Sequence, residues 1–209
     1  MLILGLTGSI GMGKSTTAGL FEEQGIPVFD SDACVKNLYA ENGAAVTVFK
    51  KDKKLKKYVV KNKAGQSYID SNLLKDDFFE NATLKIKVED IVHSLVWLSQ
   101  DQFIADCMKA KYPAIILDIP LLYETNAEAR CDAVIVVTAP KSIQRQRVLA
   151  RQGFDETKFK KILRNQIPDA EKRKKANHII QTGLGIGHAR KQVCAVLDRL
   201  LTLHFGKPL

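Results

Sequence analysis

The sequence has few cysteines, and they lie far apart. Its four cysteines form no Cys-x-x-Cys pair: they are Cys34, Cys107, Cys131 and Cys194. The chain therefore has neither the ligand spacing of a zinc site nor the dense cysteine pattern of a small disulfide-stabilised protein. Scattered cysteines are typical of proteins in a reducing compartment. We therefore expect a cytoplasmic location.

Long apolar segments are also missing. No apolar run approaches the roughly 20 residues that a membrane-spanning helix needs, and the N-terminus lacks the basic and apolar regions of a signal peptide. Hydrophobic residues make up 45% of the chain and charged residues 26%, as in ordinary water-soluble proteins. With 209 residues, the chain can form one substantial core with an insertion or two. We expect no membrane partner.

Positive charge exceeds negative charge, and much of it is concentrated in one stretch. The net charge is +9, and eight lysines fall between positions 50 and 63. This stretch carries neither an aromatic ladder nor an arginine-rich motif, so a solvated lysine face is favoured over a nucleic-acid site. A polyphosphate ligand passing nearby would also suit it. We therefore expect no nucleic-acid partner.

Residues 8–15 form the clearest motif in the chain and are called the phosphate loop below. Their sequence, GSIGMGKS, matches G-x-x-x-x-G-K-[ST] at every fixed position. Glycines allow the backbone N–H groups to converge on an oxyanion. Lys14 can then reach the β- and γ-phosphates of a nucleotide, and the Ser15 hydroxyl can hold Mg²⁺. An apolar run precedes the loop and a helical pattern that ends at Gly25 follows it, so the motif predicts nucleotide binding.

Short apolar segments elsewhere predict the remaining strands of a parallel sheet. Together with residues 2–6, the candidate strands are residues 26–29, 113–118, 132–138 and 179–180. A final helical pattern runs through Val193 and Leu197. We expect an α/β fold of the phosphate-loop NTPase type, in which a five-stranded parallel sheet lies between two layers of helices.

Acidic residues follow two of these candidate strands. In open α/β sheets, ligands bind beyond the carboxyl ends of the strands. Asp30 and Asp32 follow the second strand, where a carboxylate could act as an acid or base or contact a metal ion through water. Capping of the next helix is the alternative role for either aspartate. Asp118 ends the third strand, in the position of a carboxylate near Mg²⁺.

Two regions between the strands predict helical additions to the sheet. Residues 33–83 contain no convincing strand, and Gly43 and Gly65 interrupt them, so we expect a mostly helical insertion that binds substrate. The next segment predicts a long helix with one apolar face, formed by Leu84, Val88, Ile91, Leu95, Leu98 and Ala105. His93 lies off that face, and a surface histidine without a role is an equal alternative.

A basic helix follows the fourth strand. Gln144, Arg147 and Arg151 are three and four positions apart, so they can project from one helical face. Arginine binds phosphate oxygens through two parallel hydrogen bonds, and Gly153 could serve as the hinge of a closing lid. A basic surface helix without a binding role is the alternative.

The motifs distinguish between two classes of nucleotide-binding protein. A GTPase-type switch needs Asp-x-x-Gly after the third strand, but Asp118 is followed by Ile-Pro-Leu. The only Asn-Lys pair, Asn62-Lys63, lies inside the expected insertion. A small-molecule kinase needs a carboxylate near the acceptor, a substrate insertion and an arginine-bearing lid, and each has a candidate here. The sequence therefore favours a kinase.

Four segments of the chain together match a known family pattern. They are residues 6–16 (LTGSIGMGKST), residues 25–32 (GIPVFDSD), residues 118–124 (DIPLLYE), and the Gln144-x-x-Arg147-x-x-x-Arg151 spacing that ends at Gln166. With these segments the chain resembles the dephospho-coenzyme A kinase family. The resemblance covers nearly the whole chain. It implies ATP-dependent phosphorylation of the ribose 3′-hydroxyl of dephospho-CoA. The alternatives are another small-molecule or nucleotide kinase of the phosphate-loop class and, more distantly, a non-catalytic or GTPase-type switch.

The resemblance also implies a domain organisation and a set of site residues. It divides the chain into a core (1–32, 84–139 and 171–209), a helical acceptor-binding insertion (33–83) and a lid (140–170). Asp32, Lys14 and Arg147 would be catalytic, with Asp32 as the general base. ATP would be bound by Gly8, Gly11, Met12, Gly13, Lys14, Ser15, Thr16, Arg147 and Arg151. The acceptor would contact Asp32, His93 and Asp118, and Mg²⁺ would bind Ser15, with Asp118 as a second candidate ligand.

The implied partners are the two substrates, ATP and dephospho-CoA, bound by a monomer or a weak homo-oligomer. One departure from the family pattern bears on the fold. The family usually has proline after the histidine at position 93, whereas this chain has Ser94. Because serine can cap a helix, we expect the break in the chain direction to survive there.

Overall fold

The computed structural model of the chain describes residues 1–206, except for the side chain of Phe79. Residues 207–209, which end the expected core range 171–209, lie outside the described residues. In chain order the helices and strands are β1 (Leu2–Thr7), α1 (Lys14–Glu22), β2 (Val28–Asp30), α2 (Ser31–Tyr39), α3 (Ala44–Lys51), β3 (Val59–Lys61), β4 (Ser67–Ile69), α4 (Ser71–Glu80), α5 (Ala82–Lys109), β5 (Ala114–Asp118), β6 (Ala133–Thr138), α6 (Lys141–Leu149), α7 (Glu156–Arg164), α8 (Asp169–Lys175), β7 (His178–Gln181) and α9 (Ile186–Phe205).

A five-stranded parallel sheet has the strand order β2-β5-β1-β6-β7. Every residue of β5 and β6 is buried, which explains why their sequences are continuous apolar runs rather than alternating ones. The helices α1 and α9 pack together beside the sheet and contribute Leu20, Phe21, Val193 and Leu197 to its core. The expected α/β fold with five parallel strands is therefore confirmed.

The strand register brings the ends of β1, β5 and β6 to one edge of the sheet. Leu6 of β1 pairs with Asp118 of β5 on one side, and Thr7 pairs with Val136 of β6 on the other. Asp118 also pairs with Asp30 at the end of β2. The phosphate loop leaves β1 at this edge. The neighbouring strand on one side, β5, ends at Asp118, and the neighbouring strand on the other side, β6, ends at Thr138.

The chain forms two compact units. The first consists of Met1–Asp30 and the chain from Asp106 onward, and the second is Ser31–Ala105. The expected insertion, residues 33–83, falls within the second unit, and α6, α7 and α8 belong to the first. The expected bounds of core, insertion and lid remain predictions.

The second unit contains a hairpin that the sequence did not predict. β3 and β4 pair in antiparallel fashion, so the expectation of no strand between residues 33 and 83 is wrong. Asn62 shapes the turn, because its side-chain oxygen accepts hydrogen bonds from the N–H groups of Ala64 and Gln66 at 2.9 and 3.0 Å. Gly65 completes the turn with a φ of +78°. The strands are too short, and their surroundings too rich in lysine, for alternation to be visible.

Helix α5 is continuous, contrary to the break expected at Ser94. Serine retains the backbone N–H that proline would remove, and the Ser94 hydroxyl donates to the carbonyl of Asp90 at 2.8 Å within the helix. The buried face also differs from the expected one: it repeats every fourth residue through Leu84, Val88, Val92 and Val96. Leu98, expected on that face, is 66% exposed.

Within residues 1–206, no helix combines the length and apolar character needed to cross a membrane.

A buried ion pair joins α8 to the segment after β5. The Lys172 side chain is fully buried, and its Nζ lies 2.9 Å from Oε1 of Glu124. The same carboxylate accepts a hydrogen bond from the backbone N–H of Ile167 at 2.8 Å. Lys172 also donates to the carbonyl of Pro120 at 3.4 Å, two residues beyond Asp118.

Replacing Lys172 with methionine should destabilise the protein, because it leaves the carboxylate of Glu124 without its cation. We expect the free energy of unfolding, measured with urea, to fall by about 3–5 kcal/mol. The double variant K172M/E124Q should recover much of this loss, since glutamine carries no charge and still accepts from Ile167. A single variant within about 1 kcal/mol of the parent would contradict this role of the ion pair.

Candidate functional site

The phosphate loop adopts a backbone conformation that only glycine suits at several positions. Gly11 and Gly13 have φ values of +78° and +92°. A Cβ atom on Gly11 would lie 2.6 Å from Cγ2 of Val148 in α6, and one on Gly8 would lie 2.4 Å from Cγ2 of Val137 in β6. The loop therefore packs so closely against β6 and α6 that no side chain fits at Gly8 or Gly11.

Met12 anchors the loop in the protein interior. Its side chain is 2% exposed, and its sulfur accepts a hydrogen bond from the N–H of Ala139 at 3.1 Å. Its carbonyl accepts from the hydroxyl of Thr182 at 2.7 Å, and its own N–H donates to the carbonyl of Ser9 at 3.1 Å. The Met12 side chain thus supports the shape of the loop from within the core.

The loop leads directly into α1. Gly13 immediately precedes this helix, and its carbonyl accepts from the N–H and the hydroxyl of Thr17 at 3.0 and 3.1 Å. A helix start leaves its first N–H groups without partners inside the helix, and its dipole favours anions. Ser15 and Thr16 lie in this first turn, and both are exposed. The end of the loop is therefore suited to bind a phosphate group.

Lys14 and Asp118 form an ion pair beside the loop. Nζ of Lys14 lies 2.6 Å from Oδ1 of Asp118, and the aspartate is 3% exposed. The register explains the contact. Asp118 pairs with Leu6 near the end of β1, so it lies at the edge of the sheet from which the phosphate loop leads to Lys14. The lysine compensates the charge of a buried carboxylate. A phosphate group that recruits Lys14 must therefore compete with Asp118.

The oxygen atoms near the loop suit Mg²⁺. The Ser15 hydroxyl and the Asp118 carboxylate are hard oxygen donors, which this ion prefers. Mg²⁺ usually keeps several waters and binds substrate phosphates with only one or two protein ligands. Among the described residues, no group of three or more His, Cys, Asp or Glu side chains is arranged to hold a metal ion. These donors fit a magnesium ion that arrives together with a nucleotide.

Arg147 is held next to the loop by Thr182. Its Nη1 donates to the Thr182 hydroxyl at 2.9 Å, and its Nη2 donates to the Thr182 carbonyl at 2.8 Å. The same hydroxyl donates to the carbonyl of Met12 in the loop. The Arg147 guanidinium is therefore already engaged, and an anion that recruits it must compete with Thr182.

The expected common face of Gln144, Arg147 and Arg151 is divided among three targets. The Gln144 side chain donates to the carbonyl of Ile10 in the phosphate loop, and Arg147 contacts Thr182. Arg151 is exposed, and its guanidinium lies 5.9 Å from the centre of the Phe154 ring.

Two site residues expected from the sequence belong to the second unit. Asp32 is the second residue of α2, two positions after Asp30 at the end of β2, and its side chain is exposed. His93 lies within α5 and is also exposed. The structure thus brings Lys14 and Asp118 together in the first unit, whereas Asp32 and His93 belong to the second.

Thr182, Gln144 and Gln166 support the site. The sequence did not single out Thr182, and it marked the two glutamines only as part of a motif, without a contact to the loop. All three have direct hydrogen bonds to the phosphate loop. For two of them the available signal was position, because Thr182 directly follows β7 and Gln144 lies in the first turn of the helix after β6. Residues at these strand ends share the loop's edge of the sheet.

Comparisons with known proteins give a consistent picture. The dephospho-CoA kinase family matches residues 2–186. A dephospho-CoA kinase of Rhodopseudomonas palustris (strain BisB18) is 43% identical over 197 residues, covering 94% of this chain and 94% of that protein. TT1252 from Thermus thermophilus is a solved structure with a TM-score of 0.75 at 30% identity, covering 95% of this chain and 97% of that chain. The fold of a dephospho-CoA kinase from Campylobacter jejuni is also similar, with a TM-score of 0.67 at 24% identity over 97% and 98% of the two chains.

Replacing Gly11 with alanine should weaken nucleotide binding. The left-handed backbone alone costs about 1–2 kcal/mol for a residue with a Cβ, and the contact with Val148 would also displace the loop. We expect ADP affinity, measured by calorimetry, to fall more than about tenfold. Gly25→Ala is the control, because its φ is +74° and nothing lies within 4 Å of its added Cβ. The control should lose stability and keep its ADP affinity. Equal losses of ADP affinity in both variants would contradict the assignment of the phosphate loop as the nucleotide site.

Proposed function

The chain belongs to the dephospho-CoA kinase family, and we propose that its phosphate loop binds ATP and that Asp32 is the general base. The reaction of this kinase transfers the γ-phosphoryl group of ATP to the ribose 3′-hydroxyl of dephospho-CoA, giving CoA and ADP. The enzyme is thus a phosphotransferase with an alcohol group as acceptor.

The ion pair between Lys14 and Asp118 is the observation that carries the proposal for the ATP site. It holds an ammonium group beside a glycine loop and a helix start, within the part of the chain that matches the motif. These three features favour the concentrated negative charge of a triphosphate. We assign Gly8, Gly11, Gly13, Ser15 and Thr16 to phosphate binding, and Met12 contributes to the ATP site by fixing the loop through its hydrogen bonds to Ser9 and Thr182.

The proposed transfer is an in-line displacement. The acceptor oxygen forms a bond to the γ-phosphorus while the bond to the β,γ-bridging oxygen breaks, and ADP leaves with the electron pair of that bond. Asp32 accepts the proton of the hydroxyl. Lys14 neutralises charge on the β- and γ-phosphates, and Arg147, once released from Thr182, stabilises the equatorial oxygens. Bound Mg²⁺, held by Ser15 and Asp118, would supply further charge neutralisation at the phosphates.

The same proposal gives roles to the remaining regions. Residues 33–83 and His93 contribute to the acceptor site, and residues 140–170, with Arg147 and Arg151, act as a lid that excludes water. The core comprises 1–32, 84–139 and 171–209. We propose that the enzyme works in the cytoplasm as a monomer or weak homo-oligomer, with ATP and dephospho-CoA as its partners and without nucleic acid or membrane.

The acceptor and the base can be tested in one assay. ADP release should be measured with ATP, Mg²⁺ and either dephospho-CoA, adenosine, AMP or shikimate. We expect turnover with dephospho-CoA alone. Asp32→Asn should lower kcat by roughly 10²–10⁴-fold, because the carboxylate that takes the proton is gone.

The control for this substitution is Asp198→Asn, an exposed carboxylate in α9 that lies outside the regions assigned to either substrate, and it should keep the parent activity. ADP affinity should be unchanged in both variants. Near-normal kcat in Asp32→Asn would remove the base assignment, and turnover with another acceptor would reassign the substrate while keeping the ATP site.

The role of Ser15 can be tested separately by titrating Mg²⁺. In Ser15→Ala, the concentration of Mg²⁺ that gives half-maximal ADP release should rise about tenfold, as expected for the loss of one ligand. Thermal unfolding without nucleotide should be unchanged, since the Ser15 side chain is exposed. An unchanged Mg²⁺ dependence would mean that Ser15 is not a metal ligand.

A further inference from the structure

Two glutamines bind both backbone groups of one residue in the phosphate loop. The Ile10 N–H donates to Oε1 of Gln166 at 3.1 Å. Nε2 of Gln144 donates to the Ile10 carbonyl at 2.8 Å. The backbone fixes the polarity of each bond, because an N–H needs an acceptor and a carbonyl needs a donor. We call this pair of hydrogen bonds the glutamine bridge.

The two glutamines reach Ile10 from different segments of the first unit. Gln144 lies in the first turn of α6 and is 5% exposed. Gln166 lies between α7 and α8. The backbone of Gln144 also packs against the loop, since its carbonyl oxygen would lie 2.9 Å from a Cβ added to Gly11. Both ends of the expected lid therefore contact the loop at Ile10 or next to it.

We propose that the glutamine bridge positions the phosphate loop for nucleotide binding, an inference that rests on the proposed ATP site. A segment with three glycines loses much conformational entropy when it is ordered. Two bonds at Ile10 fix the peptide groups on both sides of that residue, so the N–H groups nearby already converge before the ligand arrives. A loop that is already ordered loses less conformational entropy when the ligand binds, so binding is more favourable. Gln144 and Gln166 are thus positioning residues, acting through the backbone of Ile10.

Gln166 accepts a hydrogen bond from Ile10, whereas Gln144 donates one to it, so the same substitution affects the two glutamines differently and gives a matched pair of variants. Glutamate has nearly the same shape as glutamine and can accept a hydrogen bond, but its carboxylate cannot donate one. Gln166→Glu therefore keeps its bond to the Ile10 N–H, whereas Gln144→Glu loses its bond and faces the carbonyl with a negative charge. Both variants add the same charge beside the same residue. The difference between them therefore reports the lost hydrogen bond together with the repulsion between the new carboxylate and the Ile10 carbonyl.

Binding of ADP and of inorganic triphosphate should be measured by calorimetry. We expect Gln144→Glu to bind both ligands at least about fivefold more weakly than Gln166→Glu, a difference typical of one net hydrogen bond. The neutral variants Gln144→Met and Gln166→Met should each weaken binding by about fivefold. Their double variant should lose less than the product of the single losses, because both bonds hold one residue. In turnover, the KM for ATP should rise while kcat at saturating ATP stays near that of the parent.

Asn177→Ala is the structural control. Oδ1 of Asn177 accepts from the backbone N–H of Val134 at 2.7 Å, at the opposite end of the sheet from the loop. This variant also loses an amide-to-backbone bond, so its melting temperature should fall while its ADP and triphosphate affinities stay unchanged. Equal loss of affinity in the control and in the methionine variants would reduce the bridge to a general contribution to stability.

Other outcomes would overturn the inference in distinguishable ways. Unchanged affinities in all four bridge variants would mean that the bridge does not position the loop. Tighter binding in Gln166→Met would mean that Gln166 blocks an N–H group needed by phosphate. Failure of the parent protein itself to bind ADP would overturn the proposed ATP site together with this inference.

Discussion

The position of β1 between β5 and β6 is the constraint on which the site depends. Because β1 pairs with both neighbours, the phosphate loop emerges between the two strand ends that carry Asp118 and Thr138. The pairing of Leu6 with Asp118 allows Lys14 to reach that carboxylate. A slip of one residue in this register would turn the Asp118 side chain to the other face of the sheet. Burial of β5 and β6 therefore fixes the register and, with it, the chemistry at the strand ends.

The sequence predicted the parts of this arrangement that depend on local signals. The glycines of the phosphate loop occupy positions where the backbone has positive φ or where a Cβ would collide with a neighbour. The apolar runs of β1, β5 and β6 are buried on both faces, which is the reason that they are continuous in the sequence. Gly25 ends the turn after α1 with a φ of +74°, as its position in the sequence indicated. Fold class, strand positions and loop followed from such features.

The support of the loop could not be predicted in the same way, because its hydrogen bonds join distant parts of the chain. The bonds of Gln144 and Gln166 to Ile10 span 134 and 156 positions, and the bond of Thr182 to Met12 spans 170. No local periodicity encodes such contacts. The β3–β4 hairpin and the continuity of α5 at Ser94 were missed for another reason. The hairpin turn depends on hydrogen bonds that the Asn62 side chain accepts from the backbone, and α5 continues because Ser94, unlike proline, keeps its backbone N–H.

The cationic groups beside the loop have partners within the protein. Lys14 is paired with Asp118, and Arg147 donates two hydrogen bonds to Thr182. Any anion that recruits these groups must replace those contacts, so the net gain is smaller than the attraction between the cation and the phosphate alone. A single phosphate group offers little beyond what Asp118 already provides. A triphosphate can engage the loop, the helix start and Lys14 together, so the same contacts that hold the cations in place favour a ligand of high and extended negative charge.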